Sequence, residues 1–431
     1  MTTALKSAGE QKLAEHFNNS KANLPGLTEM RQSAFDKFAA KGLPNKRVEE
    51  FKYTDVRSFW SEVGAMAPIP QASDVKAAEE GAHFFSKLNA DCITLVDGHF
   101  STGCSVAGVQ VLAMADALQS KNPILKELGS LVKVNDNPLY QLNSALMADG
   151  VVIRVGKGVK LDKPLHLRFL NSSKALASAS RVLVLVEQGA EITILETHES
   201  RNGIAAQLND VAEFIIANDA RVQHVRVNAE GQDALAFSTL TARIGAHAYF
   251  STVNNVFGSK VARHQVYLAF EGEKSSAVVN GTALLTGSEH SDSTLVVDHI
   301  APGCDSRELF KTVIDDEAVG VFQGRINVDP EAQKTDGKMM SACLLLSDNG
   351  AMYNKPELEI FADDVQCGHG ATCGALDEEL LFYLESRGLP RVEAESLLIQ
   401  AFVGEVIEMV ENEDVKDELI AHLSNWLMTR R

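Results

Sequence analysis

The chain has 431 residues, 45% hydrophobic and 23% charged, an ordinary soluble globular composition with room for two or three domains or one elongated domain with end pieces. A formal net charge of −18, with Lys and Arg scattered rather than clustered, argues against nucleic acid and anionic membrane as partners, since both demand a concentrated basic surface. No run approaches the roughly 18 apolar residues of a membrane span, and six cysteines without a CxxC or a Cys/His quartet read as free thiols in a reducing compartment.

The N-terminal MTTALKSAGEQKLAEHF lacks a long apolar core and contains Glu10 and Glu15, so it reads as neither a secretory signal nor a transit peptide, and the expected location is cytoplasmic. Gln11–His16 and Leu27–Ala40 carry apolar residues at three- and four-residue spacing, which predicts helices. Gly42-Leu43-Pro44 breaks that pattern, and the segment to Thr54 reads as a docked turn followed by a short helix or strand, a surface lid on the next domain. Residues 66–90 are Ala-, Pro- and acid-rich and read as a loose connection. Asp97-Gly98 between apolar runs marks a hairpin, and residues 105–148 return to helical spacing.

After Asp149-Gly150 the texture changes. Short β-branched runs recur (VVIRV, HLRFL, RVLVLVE, EITILE, VAEFIIA, RVQHVRV, AYFSTVNN), bounded mostly by small or acidic turn residues, with no long helical period between them. The turns beginning at Gly189, Asp219, Gly245 and Gly272 are separated by 30, 26 and 27 positions. A two-strand rung could occupy such a step, and repetition on this scale marks a solenoid rather than a doubly wound sheet. A plain β-sandwich is the alternative, though it would not predict the recurring step. An open stack leaves unpaired strand edges and apolar end faces that helices or a partner chain must cover. Val319–Val328 continues the strand pattern. After Gly388-Leu389-Pro390, Leu397, Leu398, Ala401, Phe402, Val406, Ile407 and Val410 form one apolar helical face, and a second helix runs from about Asp414 to Met428. The organisation expected is 1–148 helical and mixed, 149–376 β-helix core, 377–431 helical. The last region serves as a cap, as a docking surface for another protein, or as both.

Cys367 and His369 leave the same face of an extended strand, and thiolate with imidazole suits iron, iron–sulfur clusters and zinc. Two ligands do not close a site, so further ligands must come from elsewhere or from another chain. A buried thiol beside a turn histidine is the bland alternative. His290, Asp292 and His299 form a second polar group, open to metal ligation or a proton relay but equally to a polar coil surface. Asp363-Asp364 invites comparison with the carboxylate pairs of β-helix carbohydrate-active enzymes, yet adjacent strand residues point to opposite faces. GxSxG, P-loop, GxGxxG and HExxH motifs are missing, so no ATP hydrolysis is expected of this chain.

The stretch KPELEIFADDVQCGHGAT, followed by LDEELLFYLESRGL and LLIQAFVGEVIE, resembles the C-terminal hallmark of the SufD family, scaffold proteins of the SUF iron–sulfur cluster assembly system. GLPNKRVEEFKYT, LNSALMADGVVIRV and FQGRINVDPEAQKTDGK fit the same family. The resemblance implies a mainly β fold: a right-handed parallel β-helix core between N-terminal and C-terminal α-helical regions. It also implies a non-catalytic scaffold pairing with a SufB-like paralogue and a SufC-like ABC ATPase, or with itself when SufB is absent. A transient iron–sulfur cluster would be shared with SufB, with His369 and Cys367 as candidate ligands, and the helix carrying Leu397, Leu398, Phe402 and Val406 would be the SufC dock. The related SufB pattern has an acid-flanked motif where this chain has Gly368-His369-Gly370-Ala371-Thr372. Cys343 is out of register with the SufB cysteine, and Cys373 matches no family ligand.

Overall fold

In the computed structural model, which describes residues 7–172 and 174–429, the first helix is fixed by a reciprocal cap. The Ser7 hydroxyl accepts from the Glu10 N–H at 3.2 Å, and the Glu10 carboxylate accepts from the Ser7 N–H at 2.9 Å, satisfying two donors a helix start leaves free. The N-terminal reading for residues 1–6 lies outside the described residues. Helix α1 (Ala8–Ser20) packs against α2 (Thr28–Lys41) through the stacked rings of Phe17 and Phe35, 4.2 Å apart. A 3₁₀ turn at Glu49–Phe51 and the short α3 (Val56–Phe59) follow, as the Gly-Pro break leads one to expect.

Residues 66–90 are not a loose connection. They contain α4 (Ala72–Gly81), and Phe84 and Phe85 are 4% and 1% exposed, with Phe84 stacked on His422 at 3.7 Å. Two adjacent aromatics at the end of a polar stretch anchor it, and a composition average hides them. Strands β1 (Asp91–Val96) and β2 (His99–Thr102) form the expected hairpin, with φ of 50° at Asp97 and 81° at Gly98. The stretch 105–148 proves mixed, with β3 (Val109–Ala113), α5 (Met114–Gln119) and α6 (Pro138–Leu146) in succession.

The remaining strands come in pairs, one per coil. They are β4 (Asp149–Val155) and β5 (Leu165–Leu170), β6 (Ala177–Val186) and β7 (Glu191–Glu199), β8 (Gln207–Ile216) and β9 (Arg221–Ala229). Next are β10 (Leu235–Ile244) and β11 (Tyr249–Val256), then β12 (Val261–Phe270) and β13 (Ser276–Leu285). Then come β14 (His290–His299) and β15 (Asp305–Ile314), β16 (Val319–Val328) and β17 (Asp336–Leu345), β18 (Ala351–Ile360) and β19 (Gln366–Gly374). Odd-numbered strands from β5 onward stack in parallel in one sheet and even-numbered ones from β4 in the other. The core is therefore a parallel β-solenoid, and the sandwich alternative falls.

One ladder runs through Arg221, Tyr249, Ser276, Asp305, Asp336 and Gln366, so each coil advances by 27 to 31 residues. The turn that sets this step is stacked too. Gly189, Asp219, His247, Lys274, Gly303 and Lys334 all have φ between 55° and 71°, and each N–H donates to a carbonyl of the next coil. The true register is thus 189, 219, 247 and 274. The sequence match at Gly245 and Gly272 is two residues early, because glycine was taken as the marker where histidine and lysine occupy the left-handed position. That conformation costs a non-glycine residue about 1–2 kcal/mol, offset here by the inter-coil hydrogen bond. A small buried residue follows each turn (Ala190, Ala220, Ala248, Ser275, Cys304, Thr335), which accounts for Cys304 as a packing residue.

Inward-facing Val, Ile, Leu and Phe make up most of the coil interior, which also encloses Glu196 hydrogen-bonded to His198, His224 and Arg226. The N-terminal region lies on the even-numbered sheet, where α6 is buried along its whole length. Arg181 of β6 pairs with Glu213 at 2.6 Å and donates to Asn143 and Tyr140 of α6. Helices α7 (Glu378–Ser386), α8 (Arg391–Ile407) and α9 (Glu413–Thr429) follow β19. Ile399, Val403, Val406 and Ile407 of α8 pack with Val225, Val253 and Val313 on the outside of the odd-numbered sheet. The apolar face of α8 is therefore rotated from the one expected, with Ile399 and Val403 inward and Leu397 and Ala401 exposed. Among the described residues, no helix is long and apolar enough to cross a membrane.

Candidate functional site

The two ends of the solenoid differ. The N-terminal end finishes in the short antiparallel strands β2 and β3, whereas the other end stops at two full-length parallel strands, β18 and β19. Each of these pairs on one side only, β18 with β16 and β19 with β17. Their outer edges present unpaired backbone donors and acceptors, a ready template for another strand.

Strand alternation carries the interior columns of the coil out to this edge. Ser306, Gly337 and Cys367 are in register; so are Glu308, Met339 and His369, and Thr312, Cys343 and Cys373. Met339 is 2% exposed and packs in the core, and Cys367 packs against the same core from the last strand. His369, on the same face as Cys367, has no coil beyond it and is exposed. Of the two glycines flanking it, Gly368 would meet nothing within 4 Å if given a Cβ, so the backbone there is open to close approach, whereas a Cβ on Gly370 would meet Met340 Sδ at 2.9 Å.

The environment beneath is apolar and acidic. Burial, with smaller contributions from Asp336 and Glu308, pushes the Cys367 thiol up, while the Gly337 backbone pulls it down. Cys367 thus favours the protonated form, and binding a soft cation there would release that proton. Glu308 lies in the interior with neither carboxylate oxygen in hydrogen-bond geometry. Burial raises it to about 8, against a small opposing effect of Ser306.

The second polar group divides. Thr54, from the N-terminal lid, is hydrogen-bonded to His290 Nε2 at 2.9 Å and donates to Asp292, which is ion-paired with the buried Arg263. Arg263 also donates to the Glu50 carbonyl, so His290 and Asp292 latch the lid onto the solenoid. His299 sits at the other end of β14, hydrogen-bonded to Ser306 at 3.1 Å and stacked on Phe270 at 4.5 Å. It does not come round to join them: one strand separates the two ends by roughly 30 Å. Asp363 and Asp364 occupy the exposed turn between β18 and β19, where the Asp364 carboxylate is tied to Lys334. Among the described residues no group of three or more His, Cys, Asp and Glu could hold a metal ion.

Of the four proposed docking residues on α8, Leu397 is 45% exposed, Leu398 and Phe402 are half-buried, and Val406 is fully buried against the chain's own sheet. Lys311 lies over the Phe402 ring at 4.4 Å. The sequence reading missed a neighbouring group of exposed apolar side chains, Leu380, Phe382, Tyr383 and Val392 on α7 and the start of α8. It also missed that Cys343 lies directly opposite Cys373, though their separation equals one coil.

Residues 169–402 match the SUF system FeS cluster assembly SufBD core domain, and residues 9–167 match the SufBD protein N-terminal region. The chain is 30% identical over 413 residues to the iron–sulfur cluster assembly protein SufD of Escherichia coli strain K12, covering 90% of each chain. It is 29% identical over 408 residues to an iron–sulfur cluster assembly SufBD family protein of Synechocystis, covering 89% of this chain and 87% of that one. It is 26% identical over 442 residues to the chloroplastic protein ABCI7 of Arabidopsis thaliana, covering 96% and 90%.

Proposed function

Because the chain belongs to the SufBD family of the SUF iron–sulfur cluster assembly system, we propose that it is a non-catalytic scaffold subunit on which iron and sulfide are brought together. The observation that carries this reading is the exposed His369 beside the half-buried Cys367 on an unpaired terminal coil. A SufB-like paralogue pairs its strands with β18 and β19, which satisfies the open edges and brings further ligands to His369 and Cys367. The nascent cluster is the cargo, held transiently between the two chains. In the absence of that paralogue, two copies of this chain pair through the same edges.

A SufC-like ABC ATPase docks on the C-terminal helices, around Leu397 with the flanks of Leu398 and Phe402 and the exposed Phe382, Tyr383 and Val392. Val406 supports this surface from inside rather than contributing area. This chain binds no nucleotide and works in the cytoplasm. The arrangement does not favour carbohydrate cleavage, since the Asp364 carboxylate is engaged by Lys334 on an exposed turn.

The test is anaerobic co-purification of the tagged chain with SufB-like and SufC-like partners from the same source. Retention of both, and loss of the SufC-like partner alone on Phe382→Asp with Leu397→Asp, is the expected result. A wild-type chain that retains neither partner contradicts the reading.

A further inference from the structure

Two thiols lie on adjacent strands at the open end, away from His369. Cys343 of β17 and Cys373 of β19 are direct partners in the parallel ladder, and both continue the inward column that runs through Val256, Ala283 and Thr312. Cys343 is 3% exposed, set among Ile314, Ala318 and Leu285, while Cys373 is exposed. Partnered residues on neighbouring strands are about 4.8 Å apart, inside the Cα window of roughly 4.4–6.8 Å that a disulfide requires. The side chains run parallel rather than converging, so closure needs a small inward shift of β19. That strand is free to make it, being held on one side only.

We infer that Cys343 and Cys373 form a thiol–disulfide couple, oxidised by hydrogen peroxide, that staples the terminal strand to its neighbour. Cys373 is the sulfur a solvent oxidant meets. Its thiolate attacks one peroxide oxygen, the O–O bond breaks, and the departing hydroxide takes a proton to leave as water, giving a sulfenic acid at Cys373. The Cys343 sulfur then attacks the Cys373 sulfur. The S–O bond breaks, hydroxide leaves with the Cys343 proton as water, and the S–S bond forms. Two thiols lose two electrons and the peroxide becomes two waters.

The other side chains support this assignment. Burial, then the Cys373 sulfur, pushes the Cys343 thiol up, so Cys343 rests protonated and is not the sulfur the oxidant meets first. Cys367 is six residues along the same strand, about 20 Å away, and does not compete. Two sulfurs without a third ligand among the described residues make a poor metal site and a sufficient redox pair. An exposed disulfide of this kind is readily reduced, so the staple is reversible. None of this depends on the pairing proposed above.

The test treats the reduced full-length chain with hydrogen peroxide, alkylates it after denaturation, and maps the peptides by mass spectrometry. The expected product joins the peptides carrying Cys343 and Cys373, two hydrogens lighter than their sum, and dithiothreitol separates them. Cys373→Ser abolishes the cross-link and leaves Cys343 fully alkylated, while the melting temperature of the reduced variant matches the parent. Oxidation of Cys373 to sulfinic acid with Cys343 still alkylatable overturns the inference, as does a bond from Cys373 to Cys367 or to a second chain.

Discussion

His369 lies directly opposite Met339, one strand closer to the end of the coil, and the two positions differ in one respect: Met339 is 2% exposed and His369 is open to solvent. The column that buries an apolar side chain at one level offers an imidazole at the next. The same column holds His224, Thr252, Val279 and Glu308 in the coils before, polar and apolar alike, and each of these is buried, whereas His369 is exposed because no further coil follows.

The first consequence concerns the backbone. Amides on the free edges of β18 and β19 lack strand partners and exchange rapidly in the isolated chain. Hydrogen exchange on the chain alone and on its complex with the SufB-like partner reads this. Protection in these two strands should rise on pairing, while β9 to β13 stay unchanged. Equal protection in both states places the interface elsewhere.

Glu308 makes stability depend on pH. Its folded-state value of about 8 lies above the ordinary 4.5, so the folded chain holds this proton more tightly than the unfolded one. Its contribution to stability is fully present below about pH 4.5 and is lost as pH rises from there through 8. Glu308→Gln removes the titration. Thermal or urea unfolding at pH 5 and pH 8 should show the variant gaining on the parent by on the order of 3 kcal/mol across that interval. A pH-independent difference refutes the assignment.

Arg181 donates to Asn143 and Tyr140 of α6 from within an ion pair with Glu213 in which both side chains are 1% exposed, joining the N-terminal region to the solenoid. Arg181→Ala leaves the buried Glu213 carboxylate with its Gly129 N–H but without its counter-ion, and should cost about 3–5 kcal/mol in urea unfolding. Arg181→Met with Glu213→Leu should recover most of that loss, because an apolar pair of similar volume needs no desolvated charge. A double variant no more stable than Arg181→Ala would show that the hydrogen bonds to Tyr140 and Asn143 dominate instead.

The two faces of α8 should separate in the same way. Ile399→Ala opens a cavity beside the odd-numbered sheet and should cost about 2–4 kcal/mol of stability. Leu397→Asp, on the exposed side, should change stability by less than about 0.5 kcal/mol while weakening capture of the SufC-like ATPase. Calorimetry with a pull-down distinguishes them, and equal destabilisation would mean that Leu397 is a core residue.

The solenoid was legible because each coil repeats a turn and two strands, and because the Asp97-Gly98 hairpin carries its own turn chemistry. What misled was local. Glycine was the visible marker at Gly245 and Gly272, yet the left-handed positions belong to His247 and Lys274, held there by inter-coil hydrogen bonds that a local pattern does not display. Helix α8 is apolar on more than one side, so periodicity alone did not say which stripe meets the sheet, and Val406 was placed outward. Phe84 and Phe85 disappeared into an average over residues 66–90. His290, Asp292 and His299 share one strand, but a latch to Thr54 requires knowing where the lid folds back. Cys343 and Cys373 could have been paired by sequence once the coil length was known, since 30 positions is one turn of this stack.

The most direct measurement is the iron and acid-labile sulfide content of the anaerobically purified complex carrying His369→Ala. The account predicts a complex with its SufB-like and SufC-like partners in unchanged proportion and most of its iron and sulfide lost. A variant complex that matures clusters as fully as the parent would contradict it.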